Sequence, residues 1–287
     1  RFFGKEDDGV TYEPVVVNER FVSQYLKGKD PVGYSIGDVS KDDKRAQRIV
    51  GVVKEYRRAS ELGLANQGWK DSWDGIRYGD GRVAVAPIAL CEVQAYVYGA
   101  FVARATLADA VGDAEGAAHW RKRADELKER FNRDFWMPEH GTYAVGLDGD
   151  KRQIDSVTSN PGHCLWTGIV DDDRAESVAR TLLDPALASG FGLRTLSATN
   201  PGYDPLSYHC GSVWPHDTAI AIAGLSDAGF PSHAAALTRQ LLDASIRFDG
   251  RLPELYGGFD RGDFDRPIPY PASCSPQAWS AAAPLLL

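Results

Sequence analysis

Apolar positions recur at helical spacing along most of the chain. Over residues 87 to about 111, Ile88, Cys91, Val93, Ala95, Val97 and Phe101 share one surface, and Gly112 and Asp113 end the run. Residues 114–135 (AEGAAHWRKRADELKERFNRDF) read as a charged amphipathic helix. The same spacing predicts helices over 42–61, 162–169, 172–183, 212–228, 232–248 and 275–287. Strand signal is minor: residues 143–147 run into a turn at Asp148 and Gly149, the pattern of a hairpin. The order helix, short loop, helix, long loop points to stacked helical hairpins. When such hairpins stack around a ring, every second loop falls at the same end, and segments distant in sequence converge on one funnel. About eight helices are predicted, where a closed double ring of six hairpins needs twelve, so the expectation is a toroid over residues 51–287 that is part of a longer barrel. Residues 1–50, with Gly33, Tyr34 and Gly37 in a polar surround, lack periodicity and read as an appendage.

Composition narrows the function. The 287 residues are 43% hydrophobic and 25% charged, which suits a globular chain with a large core. A net charge of −8 and the lack of any Lys/Arg run argue against nucleic acid as a partner. The longest apolar stretches, 83–90 and 281–287, are too short for a bilayer, and no signal peptide opens the sequence; the expected setting is cytoplasmic, away from membranes. Cys91, Cys164, Cys210 and Cys274 lie far apart without CxxC spacing, which favours buried free thiols over a zinc site or disulfide framework.

The candidate chemistry sits in the long loops, where many of the 7 Trp and 12 Tyr gather. Such rings either plug the ends of a core or serve as platforms for sugar rings. Residues 66–75 (NQGWKDSWDG) put two carboxylates, a lysine, two amides and two indoles within ten positions. Asp71 or Asp74 can be a helix cap there, or an acid whose proton goes to a departing glycosidic oxygen. Glu254, in RLPELYGGF, is either a turn residue paired to Arg251 or a base that activates water. Tyr208, His209, Trp214, His216 and Asp217 cluster at the start of a predicted helix, although buried histidines are more often satisfied core groups. No HExxH, P-loop, GxSxG or GxGxxG pattern occurs in a usable context, so metal and nucleotide chemistry are not expected.

Six ordered motifs, NQGWKDSWDGI (66–76), APIALCEVQAYVY (86–98), SNPGHCLWTG (159–168), YHCGSVWPHDTAI (208–220), LPELYGGFDR (252–261) and PYPASCSPQAW (269–279), resemble bacterial glycogen debranching enzyme-like proteins of the amylo-α-1,6-glucosidase type. The resemblance covers residues 55–287. It implies an all-α (α/α)6 toroid that inverts the anomeric carbon of an α-glucoside or oligosaccharide, without metal or organic cofactor. It further implies Asp71 as general acid, with Asp74 as the rival, and Glu254 as general base. Gln67, Trp69, Lys70, Trp73, Glu92, Tyr208, His209, Trp214, His216 and Asp217 are then expected at or near the sugar. Family members usually carry a β-rich domain and early barrel helices ahead of this region, so missing barrel segments or a second copy of the chain are expected to complete the ring. Two other readings stay open: a sugar epimerase or isomerase drawing on His163, His209 or His216, and a carbohydrate-binding protein without chemistry.

Overall fold

The structure, a computed structural model, describes residues 13–18, 22, 26–27, 29–32, 34–36, 47–53, 68–275 and 277–286. Contacts divide the chain into two units, Arg1–Leu62 and Gly63–Leu287. In the first, β1 (Glu13–Asn18) pairs in parallel with β3 (Gln47–Val53), and β2 (Ser35–Ile36) pairs antiparallel with the other edge of β3. Over 47–53 this corrects the helix expected over 42–61, the rest of which lies outside the described residues. The segment QRIVGVV is rich in β-branched residues, which fit a pleated strand better than a helix, and Ile49 is fully buried.

The second unit is built of helical hairpins. Helix α1 (Cys91–Ala110) begins only after β4 (Ala89–Leu90) has paired with β7 (Gly146–Leu147), later than residue 87. It leads into α2 (Ala114–Phe135), whose first turn is capped by Asp113 accepting from the Gly116 amide at 2.9 Å. Short strands follow, β5 (Trp136–Met137) with β6 (Thr142–Tyr143), and β7 with β8 (Gln153–Ile154), the latter pair turning at Asp148 as the sequence predicts. Helix α3 (Pro161–Thr167) opens with proline in its first turn and closes on left-handed Gly168. Then come α4 (Asp172–Leu182), α5 (Pro215–Asp227), α6 (Pro231–Arg247) and α7 (Ala278–Ala282), the last running into a 3₁₀ turn over Ala283–Leu286. The helix expected over 212–228 starts at Pro215 because Val213 is extended and pairs with Tyr256.

Helices α1 and α2 pack as a hairpin, as do α5 and α6, while α3 packs between α1 and α5. The pattern is an inner layer of α1, α3, α5 and α7 backed by α2, α4 and α6, a segment of an (α/α)6 toroid. Close approach of α3 and α5 requires glycine: a Cβ on Gly162 would stand 2.5 Å from Ala221 Cβ, and one on Gly224 would stand 2.6 Å from the Trp166 amide nitrogen. Between the layers lies the apolar core, including Phe131, Phe135, Tyr143, Val178, Leu182, Leu237 and Leu241. Burying each such side chain contributes about 1.5–3 kcal/mol. Among the described residues no helix is long and apolar enough to cross a membrane.

Candidate active site

Three inner helices deliver polar side chains to one place from their first turns. Glu92 stands at the start of α1 and Asp217 at the start of α5, where the helix dipole favours an acid; Asn160 immediately precedes α3, and His163 lies in its first turn. All four are buried. Lys70, fully buried, runs in from the loop ahead of these helices, and its ammonium donates to Asn160 Oδ1 at 2.5 Å and to the Thr195 carbonyl at 2.6 Å. Burial lowers its pKa, and the carboxylates of Asp217 and Glu92 only partly restore it. Asp217 Oδ1 lies 2.7 Å from His163 Nε2, while His163 Nδ1 meets the Tyr96 hydroxyl. Burial opposes ionisation of Asp217, but the hydrogen bond and charge of His163, with Lys70, outweigh it and hold the carboxyl below its usual range. This is a floor of charged and polar groups joined in pairs, Lys70 with Asn160 and His163 with Asp217.

Above the floor stands a wall of rings. Trp69 stacks parallel to His163 and meets His209, Trp214 and His216 edge-on at centroid distances of 5.5, 5.6 and 4.9 Å. His216 stacks on Trp279 at 3.8 Å, and Tyr208 packs against Trp214 and Tyr270. Burial, the Lys70 charge and His216 push the pKa of His209 down to about 3. Burial also pushes His216 down to about 4, against the pull of Asp217. Both rings are therefore neutral at pH 7. Nδ1 of His209 accepts from the Ser72 amide at 3.3 Å and lies 2.8 Å from the Ser72 hydroxyl, which ties the tryptophan-rich loop to the segment before α5. Several buried polar atoms here have no partner among the described residues: Trp69 Nε1, Glu92 Oε1, Asn160 Nδ2, Asp217 Oδ2 and both nitrogens of His216. Such atoms suit the hydroxyls of a polar ligand.

Two carboxylates sit at the rim. Glu254 is half-buried, and its Oε1 accepts from the Tyr208 hydroxyl at 2.9 Å. The segment bearing it is pinned by a two-way backbone pairing of Val213 with Tyr256, at 2.9 and 3.0 Å, and by the Tyr256 hydroxyl on the Phe191 carbonyl at 2.6 Å. Glycine is required at 258 because a Cβ there would fall 1.7 Å from the Gly211 carbonyl oxygen. Asp71 is exposed, and its charge reaches the Tyr208 hydroxyl, which burial, Glu254 and Asp71 together make harder to ionise. Tyr208 therefore feels both carboxylates. Asp74 differs: Oδ2 pairs with Arg77 at 3.3 Å, and its backbone carbonyl accepts from the Cys210 thiol at 3.0 Å. Of the other residues expected here, Trp73 is 68% exposed, Gln67 lies outside the described residues, and the rest join the floor or the wall. Among the cysteines, Cys91, Cys164 and Cys210 are buried, but Cys274 is exposed, contrary to expectation, because its segment runs along the rim beside Glu254. Sequence reasoning assigns no site role to Tyr96, Asn160, Gln277 or Trp279, and it weighs His163 only for epimerisation. Asn160, His163 and Gln277 sit beside glycine, proline or cysteine in the motifs at 159–168 and 269–279, which is the signal available. Among the described residues no group of three or more His, Cys, Asp or Glu is placed to hold a metal ion.

The sequence model of the mannosylglycerate hydrolase MGH1-like glycoside hydrolase domain matches residues 35–259. The chain belongs to this glycoside hydrolase family. Solved structures share the fold: neutral trehalase from Saccharomyces cerevisiae is 17% identical with a TM-score of 0.58, covering 75% of this chain and 40% of its own. The GH63 mannosylglycerate hydrolase from Thermus thermophilus, solved in complex with glucose, is 23% identical with a TM-score of 0.57, covering 69% of this chain and 47% of its own. The same Thermus enzyme was also solved with Tris and D-glycerate. This glycoside hydrolase chain thus spans less than half the length of these solved structures. No curated protein sequence matches it closely enough to count as a relative.

Proposed function

We propose that the chain is the catalytic part of an inverting α-glycoside hydrolase that releases glucose from an α-glucoside, as debranching α-1,6-glucosidases do. Asp71 is the general acid and Glu254 the general base. The observation that supports this reading is the Tyr208 hydroxyl, bonded to Glu254 at 2.9 Å and within the field of Asp71. The carboxyls of an inverting pair stand about 6.5–9.5 Å apart to admit a water. Protonated Asp71 gives its proton to the glycosidic oxygen as that bond breaks. Water, losing a proton to Glu254, attacks the anomeric carbon from the opposite face. Asp74 is less suited to the acid's role, because its Oδ2 is engaged by Arg77 at 3.3 Å. The wall of rings and the unpartnered buried polar atoms suit the faces and hydroxyls of a terminal hexose, and the Thermus structure with glucose accords with that.

A panel of isomaltose, trehalose, glucosylglycerate and short α-glucans, assayed for released glucose, tests the reading, with fastest release expected from the α-1,6-linked member. Binding of glucan without release from any member would instead mark a carbohydrate-binding protein. Deuterium entering C2 of an intact monosaccharide would mark an epimerase.

A further inference from the structure

The two oxygens of Glu254 are not equivalent. Oε1 accepts from the Tyr208 hydroxyl at 2.9 Å and from Gln277 Nε2 at 3.0 Å, whereas among the described residues Oε2 meets only the Cys274 backbone N–H, at 3.5 Å. A glutamate's terminal torsion is broad and roughly two-fold, so nothing intrinsic fixes which oxygen faces the substrate; two donors on one oxygen do. The donors are themselves fixed. Tyr208 is wedged among His209, Trp214 and Tyr270. Gln277 has its amide oriented by the buried Ser280 hydroxyl, 3.3 Å from Gln277 Oε1, which turns the NH2 toward Glu254. The Glu254 backbone is held by the same segment, its N–H donating to the Cys274 carbonyl at 2.9 Å.

We infer that Gln277 and Tyr208 are positioning residues that pin Oε1 of Glu254, leaving Oε2 as the atom that takes the proton from the attacking water; this rests on Glu254 being the base. One water O–H bond breaks, its proton goes to Oε2, and the oxygen bonds to the anomeric carbon. The glycosidic C–O bond breaks, and the leaving oxygen takes the proton of Asp71. The ionisable groups that act on the Tyr208 hydroxyl are Glu254, Asp71 and Cys274. Losing either donor frees the carboxylate to rotate, a misplacement of about an ångström, which costs roughly a hundredfold in rate.

The test uses isomaltose as substrate with Tyr208→Phe, Gln277→Leu and the shape-preserving Gln277→Glu. Each is expected to lower kcat about 10- to 100-fold with KM within about twofold, and the double variant Tyr208→Phe/Gln277→Leu is expected to fall by less than the product of the single losses. In Glu254→Ala, azide replaces both water and base, and adding Gln277→Leu is expected to leave azide-driven turnover unchanged. Raised KM with intact kcat, or an azide reaction that Gln277→Leu cuts as deeply as it cuts the parent enzyme, overturns the inference and makes Gln277 a substrate contact. Full turnover in Glu254→Gln defeats the base assignment itself; an inactive Glu254→Gln beside an unimpaired Gln277→Leu defeats only the positioning role.

Discussion

The floor and the rim of the site are built from the same residue types and are held in opposite ways. Lys70, Asn160, His163 and Asp217 are buried and bind in pairs at two helix starts, so their charges go largely to holding the fold. Asp71 and Glu254 are held more loosely: Asp71 is exposed and accepts no hydrogen bond among the described residues, and Glu254 keeps one oxygen nearly unengaged. The contrast teaches that a buried carboxylate tied to a charged partner stabilises structure, while one near the surface with an oxygen in reserve is available for proton transfer.

Changes at the rim are expected to have the largest effects. Asp71→Asn and Glu254→Gln should each lose roughly a hundred- to ten-thousand-fold in turnover, with the denaturation midpoint unmoved. A stability loss with turnover intact in either would erase the distinction. The reverse is expected in the floor, where Lys70→Met strands Asp217 and Glu92 and should cost about 3–5 kcal/mol of unfolding free energy in denaturant titration. A near-zero cost there would mean that the floor is not a structural network.

Acid should act on the wall. His209 and His216 have folded pKa values near about 3 and about 4, below the roughly 6.5 of the unfolded chain. The unfolded state therefore binds protons first, and stability falls as pH drops below about 6.5. Each histidine contributes a loss of up to about 1.4 kcal/mol per pH unit until its folded value is reached. Denaturant midpoints that stay flat from pH 7 to 5 would contradict the burial of these rings. Asp74→Asn, by removing a partly exposed pair with Arg77, should cost under about 1 kcal/mol and spare most turnover. The smallest effect is a labelling one: iodoacetamide should modify Cys274 in the native chain and leave Cys91, Cys164 and Cys210 untouched until it unfolds.

The helical second unit is legible in the sequence because apolar spacing and the flanking Gly and Pro mark α1 to α6 directly. Helix starts fall early at 87 and 212 because strand pairing of Ala89 and Val213 with distant residues leaves no local signal. The strand at Gln47–Val53 escapes for a related reason: its partner is β1, roughly thirty residues away. At the site, residue types alone draw attention to Asp71, Asp74 and Glu254. What separates Asp71 from Asp74 is the Arg77 partner of the latter, and what brings Gln277 to Glu254 is a fold contact between loops more than twenty positions apart. Neither follows from spacing.

The account depends most directly on the stereochemistry of the Asp71–Glu254 pair. Proton NMR of the first glucose released from isomaltose reads it before mutarotation. The β-anomer is predicted, since water must enter opposite the departing α-linked oxygen. Initial appearance of the α-anomer would contradict the single displacement and with it the roles given to both carboxylates.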